Sequence, residues 1–360
     1  MRVTRLSVPA FRNLRDVLIE PVESVNVICG ENGQGKTNLL EALWLFTGAR
    51  SFRGAKEAEM IPLGAEQAIC ELSFQAFGRA QEMRLGFGRK KAAYLNGVNC
   101  ASPAGLSGSL CAAVFSPAHL SLVKGGPAER RRSLDLVIGQ LKPRYQQVLT
   151  EYHRLLLQRN TLLKDISFSS QLLDTLDVWD VSVAKKGALI TKTRMTYLER
   201  LAPLSREIYA GIAGGREELD LCYQATGAAD GVVSEETMLT LLRRSRAEDL
   251  KTGSTSVGPH RDDFEISLSG LSARAYGSQG QQRSAVLALK LGECSLMERL
   301  TGEAPLVLLD DVMSELDERR RDYLLHHLEN RQIFLTCCDP RQIEGASAVF
   351  EAKKGKIEPL

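Results

Sequence analysis

GENGQGKT, residues 30–37, fits the pattern G-x-x-x-x-G-K-[ST] at every fixed position. Ahead of it SVNVIC at 24–29 is a mostly apolar run of buried-strand length. Behind it Leu39, Leu40, Leu43 and Trp44 recur at helical spacing between Thr37 and Phe46. Strand, glycine loop and helix in that order form a frame in which backbone N–H groups turn inward around phosphate oxygens. Lys36 then supplies a positive charge for the β- and γ-phosphates, the Thr37 hydroxyl can ligate Mg2+, and the helix start adds its own positive end. The segment Gly30, Glu31, Asn32, Gly33, Gln34, Gly35, Lys36, Thr37 and Asn38 is therefore a site for ATP or GTP. A glycine turn that binds nothing is the competing reading, and the flanking strand and helix argue against it.

A second acidic motif narrows the choice. PLVLLDD at 305–311 runs four apolar residues into two carboxylates at a strand end. There Asp310 can hold magnesium and Asp311 can polarise an attacking water. QIFLTCCD at 332–339 is a further buried-strand candidate, with a polar helical stretch at 318–328 before it. Strands alternating with helices imply a parallel α/β sheet built from both chain ends. Between them, from about 127 to 215, apolar residues recur at three and four, as in Leu149, Tyr152, Leu155, Leu156 and Leu162. This block is expected to be helical, interrupted at Gly187, at Pro203 and at the turn near 167–170. Runs of about 25 residues then give helices of only ~35 to 40 Å. The expected organisation is a discontinuous head, 1–126 with 251–360, and a helical arm at 127–250.

Composition sets limits on partners. The 360 residues carry 46 basic against 44 acidic side chains, a net charge of +2, so any nucleic-acid contact must come from local patches. No stretch approaches the ~20 apolar residues of a membrane helix, and the start MRVTRLSVPAFRN lacks a secretory apolar core, so the expected location is cytoplasmic. Cysteines at 29, 70, 100, 111, 222, 294, 337 and 338 show no C-x-x-C pair, which fits reduced thiols and no zinc.

YGSQGQQRSAVLALKL at 276–291 and MSELD at 313–317 bring the chain to a known class. The first resembles the signature of ABC ATPases and the second resembles their D-loop, with Ser314 and Asp317. The resemblance implies ATP as the nucleotide and a homodimer. In it Ser278, Gln279, Gly280 and Gln281 of one subunit would cap the γ-phosphate held by the other, again at a helix start. NGQGKTN looks like the SMC and RecF branch, and 360 residues leave no room for a long coiled coil. FRNL at 11–14, SFR at 51–53, FSPAHLSLVKGGPAERRRSLD at 115–135, QRNTLLK at 158–164 and SVGPHRDD at 256–263 resemble the RecF family of bacterial DNA repair proteins over nearly the whole chain.

That family implies an ABC-type, SMC-like P-loop ATPase head with an inserted helical arm. It implies slow, DNA-dependent hydrolysis with Asp311 and Lys36 as catalytic groups, and Mg2+ held by Thr37 and Asp310. It also implies an ATP-closed clamp on duplex DNA near single-strand gaps and junctions, working with RecR and RecO to load RecA. The DNA candidates are Arg130, Arg131, Arg132, Lys90 and Lys91, with Arg89, Arg243, Arg244 and Arg246 as further basic runs; each alone is by default a solvated face. An ATPase subunit of a transport or chromosome-structural complex is the alternative. Departures are His119, where an acidic residue is usual, no clear Q-loop glutamine, and Thr336 and Cys337 where many ABC ATPases have a switch histidine. A polar residue at Arg12 or Asn13 would lie near the nucleotide.

Overall fold

The computed structural model describes residues 1–89, 91–226, 233–339 and 345–360. The chain opens with β1 (Arg2–Phe11), β2 (Leu14–Ile19) and β3 (Val25–Cys29), and then α1 (Lys36–Leu45). β4 (Gln67–Ala76), β5 (Arg79–Gly88), β6 (Ala92–Leu95), β7 (Val98–Asn99) and β8 (Ala112–Phe115) follow. The helices α2 (Pro127–Leu141), α3 (Pro143–Ile166) and α4 (Leu176–Ala213) come next, then β9 (Leu219–Gln224), α5 (Glu235–Arg244) and α6 (Arg246–Thr252). The chain returns through β10 (Asp263–Leu268), β11 (Leu271–Ser272), α7 (Gln279–Thr301), β12 (Leu306–Asp310) and α8 (Glu318–His327), and ends with β13 (Ile333–Cys337), β14 (Ala348–Lys353) and β15 (Lys356–Pro359).

The central sheet runs β15-β14-β3-β13-β12-β8, all parallel except the β14–β15 hairpin. Every residue of β8, β12 and β13 is buried, as expected for parallel strands covered on both faces. Successive side chains point to opposite faces. Ile28, Leu308 and Phe334 pack with α1 and with the antiparallel sheet β2-β1-β4-β5-β6-β7; Val27, Leu309 and Leu335 pack with the helices on the other side. Register places Asp310 opposite Thr336 and Cys29 opposite Cys337, so the carboxyl ends of β3, β12 and β13 lie side by side.

The helical insertion has a longer reach than its sequence suggests. Of the three expected interruptions only the turn near 167–170 is one, with a further break at Lys142; α4 runs 38 residues, about 57 Å at 1.5 Å per residue, through both Gly187 and Pro203. Packing overrides the local signals. Leu201, Leu204 and Ser205 beside Pro203 are buried against α7, where a Cβ on Gly292 would sit 2.7 Å from Ser205 Oγ. That burial outweighs the ~3 kcal/mol that an interior proline costs. Gly187 marks a close approach instead of a break, since a Cβ there would lie 3.3 Å from Pro259 Cδ and 3.4 Å from Tyr152 Cε2. One hydrophobic cluster joins Val27 and Phe115 of the sheet to Tyr152, Leu198 and Leu221 of the insertion. Residues 127 and 250 therefore divide the chain but not the core.

Buried charge fastens the insertion to the returning chain. Arg159 is fully buried and donates to Asp180 at 2.7 Å, to Asp249 at 2.8 Å and to Thr255 at 2.8 Å, while Arg246 reaches Asp180 from the surface. Asn160 Oδ1 accepts from the Thr255 N–H and hydroxyl. The string QRN thus meets Thr255, the residue just before SVGPHRDD. Arg159→Leu should lower unfolding stability by about 3–5 kcal/mol, because it strands the buried Asp249 carboxylate and leaves buried Asp180 with Arg246 alone. Loss of the surface pair Lys186–Glu151 by Lys186→Ala should cost under about 1 kcal/mol. Urea unfolding of the two variants checks the contrast, and equal midpoints would overturn it.

Candidate nucleotide site

The loop after β3 has its shape dictated by glycine. Gly30 sits at φ +143°, where a Cβ would lie 2.4 Å from the Ala352 carbonyl oxygen of β14, and Gly35 sits at φ +111°, where a Cβ would lie 2.6 Å from Leu14 Cδ2. α1 begins at Lys36 with no side-chain cap, so its first N–H groups are left for an anion. Lys36 is buried, and its Nζ donates to the carbonyls of Gly30 at 2.5 Å and Glu31 at 3.0 Å. These bonds hold the amine at the mouth of the loop. The Thr37 hydroxyl donates to Asp310 Oδ1 at 2.8 Å, bringing the two sequence motifs together.

Asp310 is buried, and desolvation raises its carboxyl above the usual range against the pull of the Thr37 and Thr336 hydroxyls. A carboxylate and a hydroxyl meeting in a desolvated place suit a hard cation, so Thr37 and Asp310 fit Mg2+; the ion would supply charge neutralisation for phosphate oxygens. Asp311 is exposed at φ +53°. Thr336 Oγ1 accepts its N–H at 2.9 Å, and its carbonyl accepts from Ser314 Oγ at 2.9 Å, which aims the side chain outward.

A polar rim surrounds the start of α1. Asn13 Nδ2 donates to the Gly33 carbonyl at 2.9 Å and Asn38 Nδ2 to Asn13 Oδ1 at 2.6 Å, so Asn13 touches the loop directly. Arg53 Nη1 donates to Asn38 Oδ1 at 2.9 Å. Beneath them Glu41, fully buried, binds Arg12 at 2.6 Å and the Ser51 hydroxyl. Glu41 escapes sequence reasoning because an acidic residue inside an apolar helical pattern looks solvated, while Arg53 entered it only as part of the string SFR. The signal for Glu41 is that it sits inside the run Leu39–Leu45, which is otherwise apolar and buried at every position.

The signature turn lies at an exposed helix start. Ser278 caps α7 by accepting from the Gln281 N–H at 3.3 Å, and the Gln281 carboxamide oxygen accepts from the Ser278 N–H at 2.7 Å. Gln279 is exposed, and the Gly280 carbonyl accepts from Arg320 at 3.1 Å. Arg320 also binds Asp317, the N-cap of α8, which ties the turn to the D-loop. None of the hydrogen bonds of 278–281, among the described residues, reaches the 30–38 loop. His119 stands in a cleft with Leu287, Lys290 and Leu316, its imidazole held well below the usual range by desolvation and then by Lys290. His260 is lowered to about 4 by burial and bonds Tyr152 at 2.7 Å, a packing role.

The basic run at 130–132 needs correcting as a DNA surface. Arg130 is 5% exposed and grips Asp263 with two bonds of 2.7 Å, so its charge is already neutralised inside the fold. Arg131 donates to the Asp262 carbonyl at 2.7 Å and Arg132 to the Ser51 carbonyl at 2.9 Å; both remain partly accessible. Arg246 is likewise engaged, pairing with exposed Asp177 and buried Asp180. Lys91 is exposed and pairs with Glu57 at 2.7 Å, and Lys90 lies outside the described residues.

The RecF/RecN/SMC N-terminal domain family model matches residues 2–357. The DNA replication and repair protein RecF of Acetivibrio thermocellus is 37% identical over 96% of this chain and 95% of its own length. The chain belongs to the RecF family. The RecF of Heliobacterium modesticaldum is 39% identical over 99% of both chains. Among solved structures, the recombination mediator protein RecF with ATPrS, of the RecFOR pathway, superposes with TM-score 0.94 at 36% identity, over 99% of this chain and 98% of that one. An Smc head domain of Pyrococcus furiosus, bound to the C-terminal domain of ScpA, reaches 0.55 at 15% identity over 100% and 96%, which shows the shared fold alone. The fold is thus the SMC-like ABC ATPase head, and RecF-family membership disfavours the transport and chromosome-structural alternative.

Proposed function

We propose that this chain is an ATP-controlled DNA clamp of recombinational repair. Two heads close on two ATP molecules, embrace duplex DNA near single-strand gaps or junctions, and open on slow hydrolysis. The observation that carries the reading is the 2.8 Å bond from Thr37 to Asp310, which joins the phosphate loop to the acidic strand end at one site. ATP fits the uncapped start of α1 and the buried Lys36 amine. Its use is supported by the RecF structures solved with ATP and ATPrS. Mg2+ at Thr37 and Asp310 and Asp311 as the water-polarising base complete the proposed chemistry.

The exposed capping box at Ser278 supports closure in trans, because a helix start open to solvent can receive a partner's phosphate. Slow turnover follows from Thr336, whose hydroxyl holds Asp310 and the Asp311 N–H and carries no imidazole for proton transfer. Duplex DNA would be held through its phosphates by Arg131, Arg132, Lys91 and other surface bases, Arg130 being withdrawn. RecR and RecO are the proposed partners, supported by the RecFOR pathway named for the RecF structures, and RecA downstream follows from the family resemblance. No helix among the described residues is long and apolar enough to cross a membrane, which is consistent with the proposed cytoplasmic location.

One assay tests the reading: ATP turnover of the purified chain with and without duplex DNA, at several salt concentrations. DNA should stimulate turnover, and its affinity should fall with salt at a log–log slope near −0.9 per phosphate contact, regardless of sequence. Turnover indifferent to DNA would overturn the proposal.

A further inference from the structure

Three of the eight cysteines meet at one end of the central sheet. Cys29 closes β3 and Cys337 closes β13, paired in register, and Cys338 follows directly. Cys29 and Cys337 are buried, whereas Cys338 is exposed. The Cys338 sulfur lies 4.0 Å from Lys36 Nζ and 3.6 Å from Asn32 Oδ1, so one accessible thiol touches the phosphate loop at two of its residues. The other two accessible thiols lie elsewhere, Cys100 against the Val98 carbonyl and Cys222 against the Tyr223 carbonyl.

We propose that Cys338 is a modification site for small oxidants of the peroxide class, and that its modification and nucleotide binding exclude one another. The inference rests on the ATP reading of the 30–38 loop. Access selects the residue: a thiolate must meet the oxidant, and burial of Cys29 and Cys337 denies them both solvent and the charged form. In the reaction the Cys338 sulfur attacks one peroxide oxygen, an S–O bond forms and the O–O bond breaks. The sulfur is oxidised to a sulfenic acid, the peroxide is reduced, and the second oxygen leaves with the thiol proton as water.

The consequence follows from position. Lys36 Nζ, now bonded to the Gly30 and Glu31 carbonyls, must turn to phosphate oxygens when nucleotide enters. A sulfenic oxygen added to a sulfur 4.0 Å away brings a new hydrogen-bonding group between that amine and Asn32. It competes for the lysine donors and fills space that the terminal phosphate needs. Any larger adduct, such as a mixed disulfide, blocks the loop by volume. A free thiol reverses both states, so the block is removable.

The test treats the full chain with hydrogen peroxide, traps sulfenic acid with dimedone, locates the adduct by peptide mass spectrometry, and measures labelled ATP bound relative to an untreated sample of the same protein. Dimedone should mark Cys338, bound ATP should fall, and dithiothreitol without trapping should restore it. ATP at about ten times its Kd should cut the labelling about tenfold, since only the empty fraction reacts. Cys338→Ser and Cys338→Ala should both keep their bound ATP after peroxide, while Cys222→Ser should stay sensitive. The inference is overturned if the adduct falls on another cysteine, if ATP gives no protection, or if Cys338 is fully marked with ATP binding unchanged. A chain that binds no ATP before peroxide overturns the nucleotide reading and this inference with it, and that failure shows in the untreated sample. The wild-type arms decide the matter even where a variant does not fold.

Discussion

Asp311→Asn should bind ATP and form the ATP-dependent dimer as the unaltered chain does, yet turn ATP over about 10²- to 10⁴-fold more slowly, the usual worth of a general base. The backbone gives the reason for expecting so clean a separation. Asp311 occupies φ +53°, a conformation that Asp and Asn both tolerate better than other side-chain-bearing residues, so the amide does not disturb the turn. Its backbone contacts are made by groups the substitution leaves in place, the N–H to Thr336 and the carbonyl to the Ser314 hydroxyl. Only the exposed carboxylate changes. Asp310→Asn is the contrasting case, since it alters a buried acceptor shared by the Thr37 and Thr336 hydroxyls and should weaken binding of ATP with its metal. Phosphate release under saturating ATP, beside equilibrium binding of labelled ATP, reads both quantities. Unchanged turnover in Asp311→Asn would move the base to another residue.

The parts of the site that were legible in the sequence are those where backbone geometry or charge leaves few residue choices. Gly30 and Gly35 are required by φ and by close neighbours, and a lysine, a threonine and two aspartates at strand and helix ends leave a fixed pattern. The parallel sheet was legible for a similar reason, because β12 and β13 are apolar runs as far as Asp310 and Thr336 at their carboxyl ends. What the sequence hid depends on tertiary neighbours. Pro203 and Gly187 carry the local signature of a helix break, and only the surface of α7 and the 255–263 loop show why α4 continues past them. Arg130 looks like one of three solvated bases, and the carboxylate that neutralises it lies 133 positions away. The antiparallel layer has a plain period of two in QAICELSFQA, with Ala68, Cys70, Leu72, Phe74 and Ala76 buried, but nothing in that alternation says that α1 and the central sheet cover the face. Cys338 has no motif; register alone brings the end of β13 beside the phosphate loop.

The composite site has the other large expected effect, complete loss of turnover from a residue that touches no nucleotide within its own chain. Ser278→Arg should bind labelled ATP as a monomer and fail to dimerise or hydrolyse. Ser278 is exposed, so the larger side chain can be accommodated in the single subunit, and the turn stays anchored through Arg320 to Gly280 and to Ser284 at 3.0 Å. In a closed pair the same side chain would fill the place of the partner's γ-phosphate. Lys36→Met should fail in the opposite way. It removes an amine whose charge-assisted contacts to phosphate are worth about 1.5 to 3 kcal/mol each, while leaving its Ser278 turn intact. Mixing the two proteins forms heterodimers in which one site carries both defects and the other pairs an unaltered Lys36 loop with an unaltered Ser278 turn. In an equal mixture that closes at random about a quarter of all sites are then complete, by the two-fold symmetry of the pair. Turnover approaching that fraction means one site fires alone, and none means that both sites must close together. The arrangement in trans is refuted if Ser278→Arg by itself dimerises with ATP and hydrolyses it normally, since an arginine could not then lie where the partner's γ-phosphate must be.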